Sequence, residues 1–569
     1  MTSDGTLAAA PARRVMATAL PALGVALLWA FLAVFLVYPL LRVFYDAFSN
    51  EAGRLTLENF VAFAGDAFYR RSLWNSLLLG LGTVVATSIL GVALALLLVR
   101  YEFPGRRLFG YLTLIPIISP PLVGVLGFTF IMGKAGTVNI LLEDWLGLAK
   151  PINFVYGIHG VLLVETLHLF PMITLNVVDA LGRIDPSLEE AAESVGSRGW
   201  QKLCTITLPL TTPGYVAGAL LVFIWTFSDF ATPLVLGVHD LLASQAYLDI
   251  VQFVDRRLFR MGLVISALMV ALAIVFLIAA RRYVAIKDYS SLSYSRVARR
   301  RLGPLAAAGA VTFLSAVMAC SFVPYLGVAL ASVGRGWSMT PFPVRYTGLF
   351  FARVIVETPK YIVNSFLYSA LAVVLCIAVG VPIAWILART RLPGRDTLDG
   401  LNTLILAVPG TAIGIAYIRA FHAELPWLGI PLTSLWIILP IVLAVRRLPY
   451  TVRGSYASLL LVHRSMEEAA ASVGARGLRS FGDVTLPLIW RGVLVGALFS
   501  FMTSLQEASA VLFLSLGGWE TIPVGIFAFY IAGSANEAAA LGVILIAVAA
   551  VSVLVINRLA GARMGGMFG

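Results

Sequence analysis

Five ionisable side chains interrupt long apolar runs in this 569-residue chain: His168, Asp229, Arg446, Arg447 and Glu507. A charge held in hydrocarbon is costly, so such a residue is by default functional and faces a bundle interior or a water-filled cavity. Paired arginines suit phosphate-like or chelated anionic solutes, because each guanidinium presents a planar fork of donors. Carboxylates suit a hard cation such as ferric iron. The spacing adds a constraint: Asp229 and Glu507 are 278 residues apart, and so are His168 and Arg446. Two uses stay open at this point. The groups contact a passing solute or its gate, or they pair with one another and pin the helices.

The same interval separates two polar segments. "EEAAESVGSRGWQKLCTITLPL" runs from Glu189 to Leu210, and "EEAAASVGARGLRSFGDVTLPL" from Glu467 to Leu488. Aligned from Leu188 and Met466 they match at 13 of 23 positions without a gap. Ser187 with Glu190, and Ser465 with Glu468, have the spacing of a capping box, and Asp185-Pro186 adds a start signal. Glu-Glu-Ala-Ala then begins a short helix. Gly196 and Gly474 can end it, since glycine tolerates the left-handed turn. A second short helix follows, with Arg198 or Arg476 near its start, and Pro209 and Pro487 are expected to break the chain before the next apolar run. Each copy should form a small helix-turn-helix knob.

The elements that must position these residues follow from composition. The chain is 60% apolar and 12% charged, with a mean hydropathy of +0.92; soluble domains carry about 25% charged residues. Many runs exceed the roughly 18 apolar residues of a membrane span. Lipid permits only helices or a closed barrel, and the runs do not alternate as barrel strands would. The expected fold is an all-α polytopic membrane protein with about twelve spans: 20–44, 72–99, 108–132, 156–182, 213–237, 259–280, 304–333, 364–388, 399–421, 432–460, 491–515 and 539–557.

With the N-terminus inside, loops on the cytoplasmic side hold 23 Lys and Arg, against 11 on the outer side. The net charge of +12 therefore reads as the positive-inside bias, not as a nucleic-acid surface. Residues 281–303 alone hold seven of these charges. They read as a basic linker at an anionic leaflet, where each charge is worth about 1 kcal/mol. Arg13 and Arg14 precede the first apolar run, which is too long for a signal peptide and is expected to be a retained span. Both termini are expected in the cytoplasm. Cys204, Cys320 and Cys376 form no CxxC, and the five histidines do not cluster, so neither a disulfide framework nor a metal or cofactor site is expected.

The repeat extends beyond the knobs. "NSLLLGLGTVVATSILGVALALLLVRYEFPGR" starts at Asn75 and "NSFLYSALAVVLCIAVGVPIAWILARTRLPGR" at Asn364, an offset of 289 that Pro120 and Pro409 keep. By Pro171 and Pro449 it is 278. Two parallel six-helix halves are expected, related by an axis along the membrane normal: 1–285 with its polar loop at 185–210, the linker 286–303, and 304–569 with its loop at 463–488.

The pattern E-A-A-x3-G-x9-I-x-L-P resembles the EAA motif of ABC importer permeases. The first copy fits with Glu190, Ala191, Ala192, Gly196, Ile206, Leu208 and Pro209. The second fits with Glu468, Ala469, Ala470, Gly474, Leu486 and Pro487, and has Val484 in place of Ile. The resemblance implies the type I importer (MetI-like) fold. It also implies a coupling helix seated on a cytoplasmic ATPase pair that binds ATP, a periplasmic or extracellular solute-binding protein, and residence in a bacterial inner membrane. "FSDFATPLVLG" (Phe227–Gly237) and "RRLPYTVR" (Arg446–Arg453) resemble the iron(III) transport permease group. That implies ferric iron as the solute, with 2-aminoethylphosphonate, another phosphorylated solute or thiamine as alternatives. The chain lacks GxxxxGK[ST], and Gly133-Lys134-Ala135 fails it. It should have no ATP site of its own and be no enzyme. A duplicated secondary transporter would also give parallel halves but has no need of paired knobs. A membrane enzyme would need a catalytic constellation, and none is found.

Overall fold

Lipid offers the backbone no partner, so each apolar run must close its own hydrogen-bond ladder as a helix. The computed structural model describes residues 23–251, 255–285, 299–337, 340–424, 429–475 and 478–560. The centre of the basic linker and both termini lie outside the described residues. The first half contributes α1 (Leu23–Ala47), α2 (Ala67–Arg100), α3 (Pro121–Met132), α4 (Ile158–Leu181), α5 (Leu208–Ser228) and α6 (Arg256–Ala285). The second contributes α7 (Pro304–Val333), α8 (Lys360–Arg389), α9 (Gly410–Phe421), α10 (Ile438–Leu461), α11 (Leu486–Leu505) and α12 (Ala535–Ala560). Strands among the described residues are two pairs of two-residue segments.

Ten of the described helical stretches are long and apolar enough to cross a membrane, the third of them running past α3 as Pro121–Leu146 in place of the expected 108–132, and a pair bent by 110°, Arg395–Ala407 with α9, raises this to eleven. Helix α10 has 24 residues, about 36 Å at 1.5 Å per residue. It reaches across a hydrocarbon core of about 30 Å, although Arg446, Arg447 and Arg453 lower its hydropathy.

Four expected spans are not continuous. The run 108–132 is interrupted before α3, at Pro120 (φ −62°, ψ 145°), and 399–421 bends at Pro409 (φ −58°, ψ 141°). Proline has no N–H and pushes its predecessor out of helical conformation. The runs 213–237 and 491–515 stop at Ser228 and Leu505. Each restarts as a short helix, Ala231–Val235 and Ser509–Leu514. All four interruptions occupy matching places in the repeat.

The halves interlock through their leading helices. In α1 the Phe35 carbonyl accepts from Tyr417 Oη of α9 at 2.6 Å, and Asp46 pairs with Arg419 Nε at 2.6 Å. Helix α7 lies on α3 so closely that a Cβ on Gly127 would stand 1.9 Å from the Pro324 carbonyl oxygen. Ion pairs then sort the loops. Arg71–Asp240, Arg260–Glu51, Arg353–Glu537 and Lys360–Glu520 join one set. Arg100–Glu189, Arg299–Glu102, Arg281–Asp399 and Arg389–Glu467 join the other. These are the two sets that the Lys and Arg count separates.

Candidate functional site

The polar segments form the two expected knobs, with differences in how they are held. Their helices run Pro186–Ser194 and Arg464–Ser472. The caps are Asp185, which accepts from Ser187 N at 2.9 Å, and His463, which accepts from Ser465 N at 3.2 Å. The serines expected as caps are thus donors. Pro186, with a pre-set φ and no N–H, is suited to the first helical position and moves the cap one residue before it. Gly196 (φ 89°) and Gly474 (φ 91°) end the helices in the left-handed region. Ser197 N reaches Ala192 O at 2.9 Å with Gly196 N on Glu193 O at 3.0 Å, and Ala475 N reaches Ala470 O at 2.9 Å with Gly474 N on Ala471 O at 3.1 Å, the paired bonds of a Schellman ending in each knob. Pro209 and Pro487 do not break the chain. Each lies in the first turn of α5 or α11, behind a π-helical turn, Leu203–Thr207 or Phe481–Thr485. The wider turn accommodates the missing proline N–H, and the expected second short helix runs on into the span.

The glutamates divide the work. Glu190 and Glu468 are exposed, as are Ala191 and Ala469, while Ala192 and Ala470 are buried beneath the knob. The preceding residue anchors each knob to its half. Both Arg100 guanidinium Nη atoms bond the two oxygens of Glu189, and Thr207 Oγ1 donates to it at 3.0 Å. In the second half Arg389 Nε donates to Glu467 at 3.0 Å and Thr485 Oγ1 at 3.3 Å. Burial alone would raise the Glu189 carboxyl; Arg100, Thr207 and Lys202 outweigh it and hold it below its ordinary value. Sequence reasoning passed over Glu189 and Glu467. Their signal was the doubled Glu-Glu in both copies, with Arg100 and Arg389 at one matching place in the preceding repeat segment. Val195 and Val473, repeat partners at the knob tips, are each 85% exposed.

The second feature is a central cavity of about 140 Å³ where the four interruptions converge, with Pro120, Asp229, Val408, Arg446, Arg447 and Glu507 in its wall. Irregular backbone at membrane depth is tolerated where it lines such a cavity. Asp229 Oδ1 accepts from Ala231 N at 3.0 Å, and Glu507 Oε1 from Ala510 N at 3.2 Å. Each carboxylate therefore caps the helix that restarts after its break. Glu507 Oε2 also accepts from Arg446 Nε at 2.8 Å and from Arg447 Nη2. Arg446 Nη1 reaches the Val408 carbonyl, left over before Pro409, at 3.3 Å. Gly410 makes room for this cluster, since a Cβ there would lie 3.0 Å from Arg446 Nη2 and 3.1 Å from Glu507 Oε1.

His168 is buried but lies outside this cavity, in a small void against Ser321, Pro324 and Tyr325 of α7. Glu165, which sequence reasoning missed, lines the central cavity. It satisfies the same criterion of an ionisable group in an apolar run. Its repeat partner is Leu443, so a search for matched pairs does not select it. Among the described residues no group of three or more His, Cys, Asp or Glu is placed to hold a metal ion.

Comparison with known proteins gives matches along most of the chain. A family model described as "binding-protein-dependent transport system inner membrane component" matches residues 72–287 and again 380–566. The ferric transport system permease protein of Actinobacillus pleuropneumoniae is 28% identical over 544 residues, covering 93% of this chain and 76% of that relative. The molybdenum transport system permease protein of Escherichia coli K12 is 34% identical over 163 residues, covering 28% of this chain and 69% of its own. A putative 2-aminoethylphosphonate transport system permease protein of Salmonella choleraesuis is 30% identical over 207 residues, covering 36% and 72%.

Proposed function

The chain belongs to the binding-protein-dependent transport system inner membrane component family, and from that premise we propose how it couples and what it carries. It is an ABC importer permease built as two fused MetI-like halves. Its knobs are the docking elements for a separate pair of ATPase subunits, one knob per subunit. The observation that carries this reading is the pairing itself. Two knobs of one design lie at the end of the bundle set by the inner loops, anchored by the buried Glu189 and the half-buried Glu467, with Glu190 or Glu468 and a bare valine turned outward. Apolar tips ringed by polar residues are what an interface core requires.

ATP binding draws the ATPase subunits together. The knobs, docked on them, follow, and the Arg100–Glu189 and Arg389–Glu467 bonds pass the pull to α2 and α8. The halves then rock as rigid bodies and expose the central cavity to the outer face, where a solute-binding protein delivers its cargo. Hydrolysis resets the pair. Gly196 and Gly474 fix the knob shape, and Asp229, Arg446, Arg447 and Glu507 line the path.

Ferric iron is the solute this reading favours. Support comes from the extent of similarity to the Actinobacillus protein, along 93% of the chain, and from carboxylates in the cavity wall, which suit a hard cation. The 2-aminoethylphosphonate reading rests on a shorter match and on the paired arginines. The test is reconstitution of the permease with ATPase subunits and a solute-binding protein from the same cells. ATP-dependent uptake of radiolabelled ferric iron, competed poorly by phosphonates, is the expected result. Failure of any ATPase to co-purify would end the coupling reading. ATP-driven uptake of phosphonate but not iron would end the iron reading alone.

A further inference from the structure

The two walls of the central cavity carry unlike charge. On the second-half wall, two guanidiniums share one carboxylate, Glu507. On the first-half wall, the Glu165 carboxyl lies beside that of Asp229, and among the described residues no Lys, Arg or His is ion-paired with either. Glu165 is 2% exposed, and its Oε1 has no hydrogen-bond partner there. Two carboxyls this close cannot both ionise without cost, and either a proton held between them or a cation relieves the repulsion. The cavity supplies the room. It measures about 140 Å³, and one water needs only about 10–15 Å³ on the same measure. Asp229 Oδ1 accepts from Ala231 N at 3.0 Å and Oδ2 from Thr232 N at 3.3 Å, which fixes the carboxylate, and each oxygen keeps a second lone pair.

We propose that Glu165 and Asp229 form a cation subsite in the translocation cavity, taking a small, hard, multivalent cation through carboxylate oxygens. The site belongs to one wall only, because Leu443 stands at the repeat position of Glu165. It deepens the transport reading, resting on it for the cavity's place in the solute path, and it names the contacting residues.

The test uses the full-length permease in nanodiscs of neutral lipid, with Tb³⁺ alone as the probe. Trp225 lines the same cavity, so an ion bound there gives tryptophan-sensitised Tb³⁺ emission. The wild type should show saturable emission and a rise in thermal midpoint with Tb³⁺. Glu165→Gln and Asp229→Asn should each weaken binding at least tenfold and lose that rise, while Glu58→Gln, at an exposed carboxylate, changes neither. Trp225→Phe should lose emission while equilibrium dialysis still shows the ion bound. Glu165→Gln keeps the side chain's size and shape, so it should fold and melt close to wild type without the ion. Unchanged Tb³⁺ affinity in Glu165→Gln, or no saturable emission from wild type, overturns the subsite. Iron uptake is read separately. Tb³⁺ binding lost in Glu165→Gln but no iron uptake by wild type supports the subsite and removes iron as cargo. Iron uptake with Tb³⁺ binding indifferent to Glu165 removes the subsite and leaves iron standing.

Discussion

Replacing Glu189 by alanine should loosen the first knob far more than replacing its neighbour Glu190, although the family motif singles out Glu190. The Arg100 and Glu189 side chains are 18% and 11% exposed, so solvent screens their interaction little. The substitution removes two charge-assisted bonds from Arg100 and one from Thr207. It leaves Arg100 without an acceptor among the described residues. Breaking one side of a buried pair costs about 3–5 kcal/mol; with Arg100 able to swing partly toward water, about 3 is the better figure. At 1.4 kcal/mol per decade that is roughly a hundredfold in the opening equilibrium. The repeat supplies an internal control. Glu467→Ala leaves Arg389 Nη2 bonded to the carbonyls of Leu459 at 3.0 Å and Val462 at 2.7 Å, so about half that cost, near tenfold, is expected. Glu190 is exposed, and its removal should stay within about 0.5 kcal/mol. Hydrogen exchange at the amides of Ala191 to Ser194 in the intact permease reads these openings directly. Equal exchange in the Glu189→Ala and Glu190→Ala proteins, or faster exchange in the latter, would refute the anchoring argument.

Four further outcomes follow from the same geometry. Gly196→Leu with Gly474→Leu places side chains at φ near 90°, at about 1–2 kcal/mol each; ATP-driven uptake should vanish while membrane insertion persists, and wild-type uptake would remove the turn's role. Arg447→Ala should lower solute uptake with the ATPase still co-purifying, and unchanged uptake would argue against any pathway role. Gly127→Val drives a side chain into the Pro324 carbonyl and should cost more than the 1–3 kcal/mol of ordinary overpacking, seen as loss of the monodisperse peak after mild heating. Because the Glu189 carboxyl is held below its ordinary value, its stabilisation is complete above about pH 4.3, the unfolded value. It is lost as pH falls through the depressed folded value, so knob exchange protection should match at pH 6 and pH 7.5 and decline only below pH 4.

Apolar run length made the helices legible, and the shared 278-residue interval made the halves legible, because both are properties of local sequence. The interruptions were harder to read. Asp229 and Glu507 sit in segments apolar enough to span, and nothing in hydropathy distinguishes a carboxylate inside a helix from one capping a restarted helix. Pro120 and Pro409 did carry a signal, since proline disfavours helical conformation in the residue before it; length outweighed it. Pro209 and Pro487 misled in the opposite direction, because a proline in the first turn of a helix is harmless. The exchange of α1 and α7 between halves left no mark in either repeat alone. Only the tertiary contact reveals why Gly127 must lack a side chain.

The symmetry itself separates what the two halves share from what only one of them does. Knob, anchoring glutamate, left-handed glycine, π-turn and broken helix all occur twice at matching positions. On the proposed transport cycle each concerns force transmission or backbone geometry, which a balanced rocking motion needs equally on both sides. Charged groups that break the symmetry lie on α4 and α10. Glu165 corresponds to Leu443, His168 to Arg446 and Leu169 to Arg447 in the repeat. A cation entering a cavity with two identical acidic walls would be held from both sides, and release would require breaking twice the attraction. With Glu165 and Asp229 on one wall, and on the other two guanidiniums sharing the single carboxylate of Glu507, the same ion is attracted to the first wall and repelled by the net positive second. Parting the walls changes its binding free energy in one direction. A duplicated frame with unduplicated charge can therefore turn a symmetric motion into capture and release.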